Sequence, residues 1–317
     1  MHKNSLKICG FTVGAGAFGM FFRWLQNQSV FEADTGLVKP SALNIIVPLV
    51  IALAAVLFFG LLKGLRKQGY RAPESFYDAF TQDSKAFTAA SWVFGVLMAV
   101  GGAASLRGTA AVPMSALYAV FALLAVLSGL SFPLVCAAPR SRYSPGLICV
   151  LMTLPIILFT LWLILSYRVH ASIPAVWSYA IEILSLSVAL VAFFLAAGYA
   201  YGVPRPMPTM FMTMLAAFMC IMSLADAGSF GQKLVFAASA GMFVLYAWTL
   251  AGNLGIASPD EARTDDAPVS PDEPVIEAGP AEPEPPEPTV QFPAGKKHAD
   301  SKSDVDRIIE DIKNGGE

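Results

Sequence analysis

The chain has 317 residues, 56% of them hydrophobic and 14% charged, with a mean hydropathy of +0.59. Soluble domains carry about 45–50% apolar and about 25% charged residues, so this composition excludes an ordinary water-soluble domain and points to a membrane protein. The formal charge of −2 averages two unlike regions, because 16 of the 23 acidic residues but only 6 of the 21 basic ones lie from Asp260 onward; with no basic excess overall, no nucleic-acid partner is expected.

A helix needs about 20 residues to cross a hydrocarbon core. Eight apolar runs reach or approach that length, near Ile8–Leu25, Ala42–Leu62, Phe87–Leu106, Met114–Ala138, Leu147–Tyr167, Ala175–Ala200, Pro208–Ala225 and Leu234–Leu254. Pro48, Pro133 and Pro155 fall inside such runs, where neighbouring helices satisfy the freed carbonyls, so kinks are expected there and not breaks. The expected fold class is therefore all-α, a polytopic transmembrane helix bundle over residues 1–256 with the lipid bilayer as its first partner. A disordered, acidic, Pro-rich linker is expected over 257–299 and a short amphipathic helix over 300–317.

The first run, within "KICGFTVGAGAFG", holds Gly14, Gly16 and Gly19 in the G-x-G-x-x-G spacing of a dinucleotide fold. That motif requires a strand-to-helix turn in a βαβ unit with an acid about 20 residues on. Glu32 and Asp34 mimic the acid, but the second strand would have to share its place with a 21-residue uncharged run, "ALNIIVPLVIALAAVLFFGLL". Gly10, Gly14, Ala17 and Gly19 read better as small residues that admit a neighbouring helix, Gly10 and Gly14 forming a G-x-x-x-G pair. Lys3 and Lys7 precede this run as in a signal peptide, yet no small-x-small cleavage site follows, so a retained first helix is expected.

Next in the chain, "FEADTGLVKP" contains Asp34-Thr35-Gly36, the loop sequence of aspartic proteases, but once only and in a short polar connection. Those enzymes need paired carboxylates sharing a proton, so a turn is the simpler reading. "PESFYDAF" (73–80) reads as a short interfacial helix with Phe76, Tyr77 and Phe80 toward lipid and basic residues nearby for anionic headgroups. Cys9, Cys136, Cys149 and Cys220 form no C-x-x-C pair and no disulfide framework. One histidine near the membrane, His170, makes neither a zinc site nor a bis-histidine haem site, so no cofactor and no metal are expected.

The sixth run carries Glu182, placed about seven residues into its span on the expected boundaries. A charge at mid-span costs roughly 2.5–3.5 kcal/mol, so such a residue faces the bundle or a watery cavity with a partner. Arg168, His170, Arg23 and Asp226 are expected at the same face, with Arg168 or Arg23 as counter-ion, and Ser178 and Ser185 extend the polar side of the helix. This group reads as a structural ion pair or as an outward-facing pocket for a small polar ligand; no nucleophile–base pair or phosphate loop supports an intramembrane enzyme.

The stretches "FFRWLQ", "FEADTGLVKP", "YRVHASIPAVWSYAIEILSL", "AAGYAYGVPRP" and "SLADAG" resemble a family of uncharacterised polytopic membrane proteins of anaerobic Gram-positive bacteria. The resemblance implies an integral membrane protein and carries no activity.

From Ser258 to Gly295 the chain is rich in Pro, Glu and Ala with a single aromatic residue, Phe292, too little apolar surface to fold. In "SKSDVDRIIEDIKNGGE", Val305, Ile308, Ile309 and Ile312 stand at i, i+3, i+4 and i+7, one helical face, with Ser303 as N-cap and Gly315-Gly316 as the stop. An acidic opposite face disfavours adhesion to anionic lipid, so a helix-in-groove contact with a cytoplasmic protein is expected. A membrane scaffold or sensor-like interaction protein is accordingly preferred, with a transporter or ligand-binding protein as the alternative and an intramembrane enzyme last.

Orientation follows from the connections. With the N-terminus inside, the inner segments hold ten Lys and Arg and the outer ones five, which places both termini of this multi-pass cell-membrane protein in the cytoplasm. Reporter fusions at Asp78 and in the tail should both read as cytoplasmic and one at Asp34 as external. A tail labelled from outside intact cells would refute the assignment.

Overall fold

The computed structural model describes residues 2–30, 39–71, 73, 75–82, 84–106, 115–141, 143–170, 179–226 and 228–256. The segments 257–299 and 300–317, with Val305, Ile308, Ile309 and Ile312, lie outside these residues, as do Asp34 and Ser178. The described chain is a helix bundle. Its long helices are α1 (His2–Ser29), α2 (Leu43–Lys67), α4 (Lys85–Ala104), α5 (Ser115–Ser141), α6 (Pro145–His170), α7 (Ala180–Ala200), α8 (Pro206–Ser223) and α9 (Phe230–Gly252), with the one-turn α3 (Phe76–Phe80) before α4. Among the described residues eight helices are long and apolar enough to cross a membrane, so the chain is a multi-pass membrane protein.

Local sequence sets the helix ends. Ser229 accepts from the Gln232 amide while the Gln232 side chain accepts from Ser229 N–H, a complete capping box at the start of α9. Gly69, at φ 81°, takes the left-handed turn that ends α2. Pro48, Pro133 and Pro155 stay inside continuous helices, as does Pro139.

Consecutive helices from α4 to α9 pack side by side, and α9 returns against α4, so these helices close a ring. Helix α1 lies outside it on α8 and α9, and α2 rests on α1 and α8. Aromatic side chains fill the ring. Trp162 of α6 meets Phe236 of α9 at 4.5 Å, Phe193 of α7 meets Phe243 of α9 at 4.4 Å, and Phe132 of α5 meets Tyr246 of α9 at 5.3 Å between ring centroids. Such pairs add roughly 0.5–1.5 kcal/mol each beyond the area they bury.

Where no aromatic ring intervenes, glycine sets the distance. A Cβ on Gly95 would strike the Gly129 carbonyl, and one on Gly129 would strike that of Gly95, so α4 and α5 touch through their backbones. Gly101 and Gly231 do the same for α4 and α9. In α1 the contact glycines are Gly16 and Gly19, against Ile221 and Phe218 of α8, whereas Gly10 and Gly14 have open space beside them. Of the expected small residues Gly19 thus meets the neighbour and the Gly10/Gly14 pair does not, because the spacing of small residues does not say which face is covered.

One other expectation changes. Helix α3 does not have all its rings toward lipid: Phe76 and Phe80 are buried, only Tyr77 is exposed, and Phe80 meets Tyr199 and Tyr246 at 5.5 and 5.3 Å. Tyr199 is buried by this plug. An aromatic cluster beside a bundle end gains more by filling the space between helix ends than by resting among headgroups.

Candidate functional site

One end of the bundle, formed by the ends of α1, α6 and α8 and the starts of α2, α7 and α9, gathers the buried charges. Arg23, 1% exposed, donates through Nε to Asp226 Oδ1 at 2.5 Å. An arginine is almost never fully buried unless paired, since an isolated charge in an apolar surrounding costs several kcal/mol. Its Nη1 also donates to Gln26 Oε1 at 2.7 Å, Gln26 Nε2 donates to Asn44 Oδ1 at 3.3 Å, and Asn44 Nδ2 reaches the Lys39 carbonyl at 2.9 Å. Asn27 Nδ2 adds a bond to the Ala225 carbonyl at 2.9 Å. This chain of bonds fastens α8 to α1 and α1 to α2.

Position explains the geometry. Arg23, Gln26 and Asn27 stand at i, i+3 and i+4, so one side of the last turns of α1 is polar and meets the segment after α8. Burial pushes the Asp226 carboxyl above the ordinary aspartate range, and the Arg23 guanidinium and the more distant Lys233 pull it back without cancelling the rise.

A second polar group lies on the neighbouring helices. Glu182 is in the first turn of α7, where the free N–H groups of a helix start favour a carboxylate. It lies nearer the helix end than the expected boundaries put it, because the helix begins at Ala180 and not at Ala175. Ser166 Oγ donates to Glu182 Oε1 at 3.0 Å, His170 Nδ1–H donates to the Ser166 carbonyl at 2.8 Å, and the His170 ring stacks on Tyr179 with centroids 4.6 Å apart. Ser166 thus joins the Glu182 carboxylate to the His170 ring. Between the two groups, Ser185 and Ser223 share a hydrogen bond of 2.6 Å.

The expected pairing of Glu182 with Arg168 or Arg23 does not form. Arg23 is committed to Asp226, and Arg168 is exposed at the last turn of α6. An arginine at a helix terminus reaches water more cheaply than it reaches a carboxylate inside the bundle. His170 does lie beside Glu182. Gln26, Asn27, Asn44, Ser166 and Ser223 were not singled out from sequence, although the i, i+3, i+4 spacing from Arg23 marks the first two as its companions.

Among the described residues no cluster of three or more His, Cys, Asp and Glu side chains suits a metal ion, and all four cysteines are free thiols. The site is thus a pair of hydrogen-bonded charge clusters that can lock helix ends together or hold a small polar ligand at the Glu182 carboxylate. Comparison with family models, curated proteins and solved structures finds no match, so function is argued from this geometry.

Removing one member of a buried pair strands the other charge and typically costs about 3–5 kcal/mol, whereas replacing both by apolar residues is often neutral. Arg23→Leu or Asp226→Leu alone should therefore lower the thermal midpoint of the detergent-solubilised protein sharply, and the double variant should recover most of the loss. A double variant as unstable as the worse single one would show that the pair does not act as a unit.

Proposed function

We propose that the chain is a membrane scaffold or sensor-like interaction protein of the cell membrane, with both termini cytoplasmic, that offers its C-terminal segment to a cytoplasmic protein. The observation that carries this reading is the way the chain is fastened where it leaves the bundle. Asn253 Nδ2 donates to the carbonyls of Ala79 and Thr81 at 2.9 and 3.0 Å, and Gly255–Ile256 pairs antiparallel with Tyr70–Arg71. The exit point is thereby tied to α3 and to the end of α2, so that residues beyond 256 start from a fixed place at the membrane surface.

The filled ring supports the same reading. Trp162, Phe193, Phe236, Phe243 and Tyr246 occupy the space a central path would need, and a path through it would require those rings to separate. The resemblance to polytopic proteins of anaerobic Gram-positive bacteria belongs to this proposal and adds location without activity. In it, the acidic Pro-rich segment 257–299 is a spacer and Val305, Ile308, Ile309 and Ile312 are the anchors of a helix that gains its stability from the groove of a partner. Changing Ile308 and Ile309 together to Asp should abolish the association; cross-linking in intact cells that recovers the same proteins with wild-type and double-variant chains would refute it.

A second reading, a transporter or a ligand-binding protein with a polar pocket, is favoured by one observation: Glu182 is held by a hydroxyl and a nearby imidazole, and among the described residues no lysine or arginine pairs with it. Glu182→Gln separates the two readings. Under the scaffold reading it leaves the set of cross-linked partners unchanged. A small molecule that accompanies the wild-type protein through purification and is lost from Glu182→Gln, as read by mass spectrometry, would favour the pocket.

A further inference from the structure

The end of the bundle opposite Arg23 carries a groove between α2 and α8, a cavity of about 430 Å³. Its walls are Phe59 and Leu62 of α2 and Met207 and Phe211 of α8, with the Phe59 and Phe211 rings edge to face at 6.4 Å. Its rim is cationic: Lys63 and Arg66 line it, stand one turn apart on the same side of α2, and are exposed. Among the described residues no acidic side chain lines the groove and no carboxylate pairs with either cation.

From Phe59 to Arg66 the helix advances seven residues, on the order of 10 Å at 1.5 Å per residue. The groove is therefore apolar on the side toward the membrane interior and positive toward the helix end, where headgroups lie. It also opens to the bilayer. The face of α2 leading into it carries Leu49, Leu53, Val56 and Phe59, all more than half exposed in the bundle, so hydrocarbon and not water covers it.

We infer that this groove binds an anionic phospholipid, with an acyl chain between Phe59 and Phe211 and the phosphate between Lys63 and Arg66. Basic recesses between membrane helices at the headgroup level recognise anionic lipids in this way, each Lys or Arg contributing about fivefold in binding. Lysine and arginine that merely reach for the interface would show no such choice of lipid, because the bilayer surface offers them any headgroup. An acyl chain in the groove also distinguishes the occupant from a soluble phosphate, which has nothing to place against the two phenylalanines.

The test uses the full chain reconstituted in vesicles of equal phosphatidylcholine and phosphatidylglycerol, released into the gas phase for native mass spectrometry. Phosphatidylglycerol should stay bound in preference to phosphatidylcholine by about 25-fold, the product of the two cations' contributions. Lys63→Ala/Arg66→Ala should abolish the preference with an unchanged thermal midpoint, since both side chains are exposed. Lys85→Ala/Arg140→Ala, which removes two charges from the same end of the bundle, should retain it. Equal retention of the two lipids, equal loss in both double variants, or release of the bound lipid by millimolar glycerol phosphate would each overturn the inference.

Discussion

A charge cannot stand alone in an apolar medium, and the arrangement of one end of this bundle follows from that constraint. Arg23 has almost no access to water, so α1 must sit where the segment after α8 brings Asp226 to it. The bonds to Gln26 and on to Asn44 then fix α2, which has few other contacts with the bundle. Nonpolar packing would let α1 slide along α8 through several registers of similar energy. The ion pair admits one register only, and in it Gly16 and Gly19 lie against Ile221 and Phe218.

The interior is built by a different rule. In lipid there is no hydrophobic force between helices, so association depends on close contact and on dispersion. Glycine faces bring α4 against α5 and α9 at backbone distance, and aromatic rings fill the wider space where α5, α6, α7 and α9 face one another. Charges stay at the helix ends. The two ends consequently differ in kind: one holds hydrogen-bonded charge clusters, while the other holds the Phe80 plug, the clamp of Asn253 and a basic groove beside α2.

Length and hydropathy placed the eight spanning helices with ends within six residues of those observed, because crossing hydrocarbon demands about 20 apolar residues whatever the neighbours are. The same reasoning marked Arg23, Glu182, Asp226 and His170 as residues of one membrane face, since a charge near the end of a span is costly enough to stand out in any sequence. Composition likewise set 257–299 apart from the spanning region. The sequence by itself therefore determined which segments enter the membrane and which ionisable groups they carry with them.

The partners of those groups were decided only by the tertiary structure. Arg23 meets Asp226 across 203 positions, and Glu182 meets Ser166 across 16, yet in sequence each had several equally plausible companions. Likewise Gly10 and Gly14 had the spacing of a packing motif, but it is Gly19, together with Gly16, that faces the neighbouring helix, and Phe76 and Phe80 turn into the bundle instead of toward lipid. The physical reason is common to all of these. Insertion into a membrane is governed by each segment's own free energy of transfer, whereas the rotation and pairing of a helix depend on the shapes and charges of side chains distant in the chain.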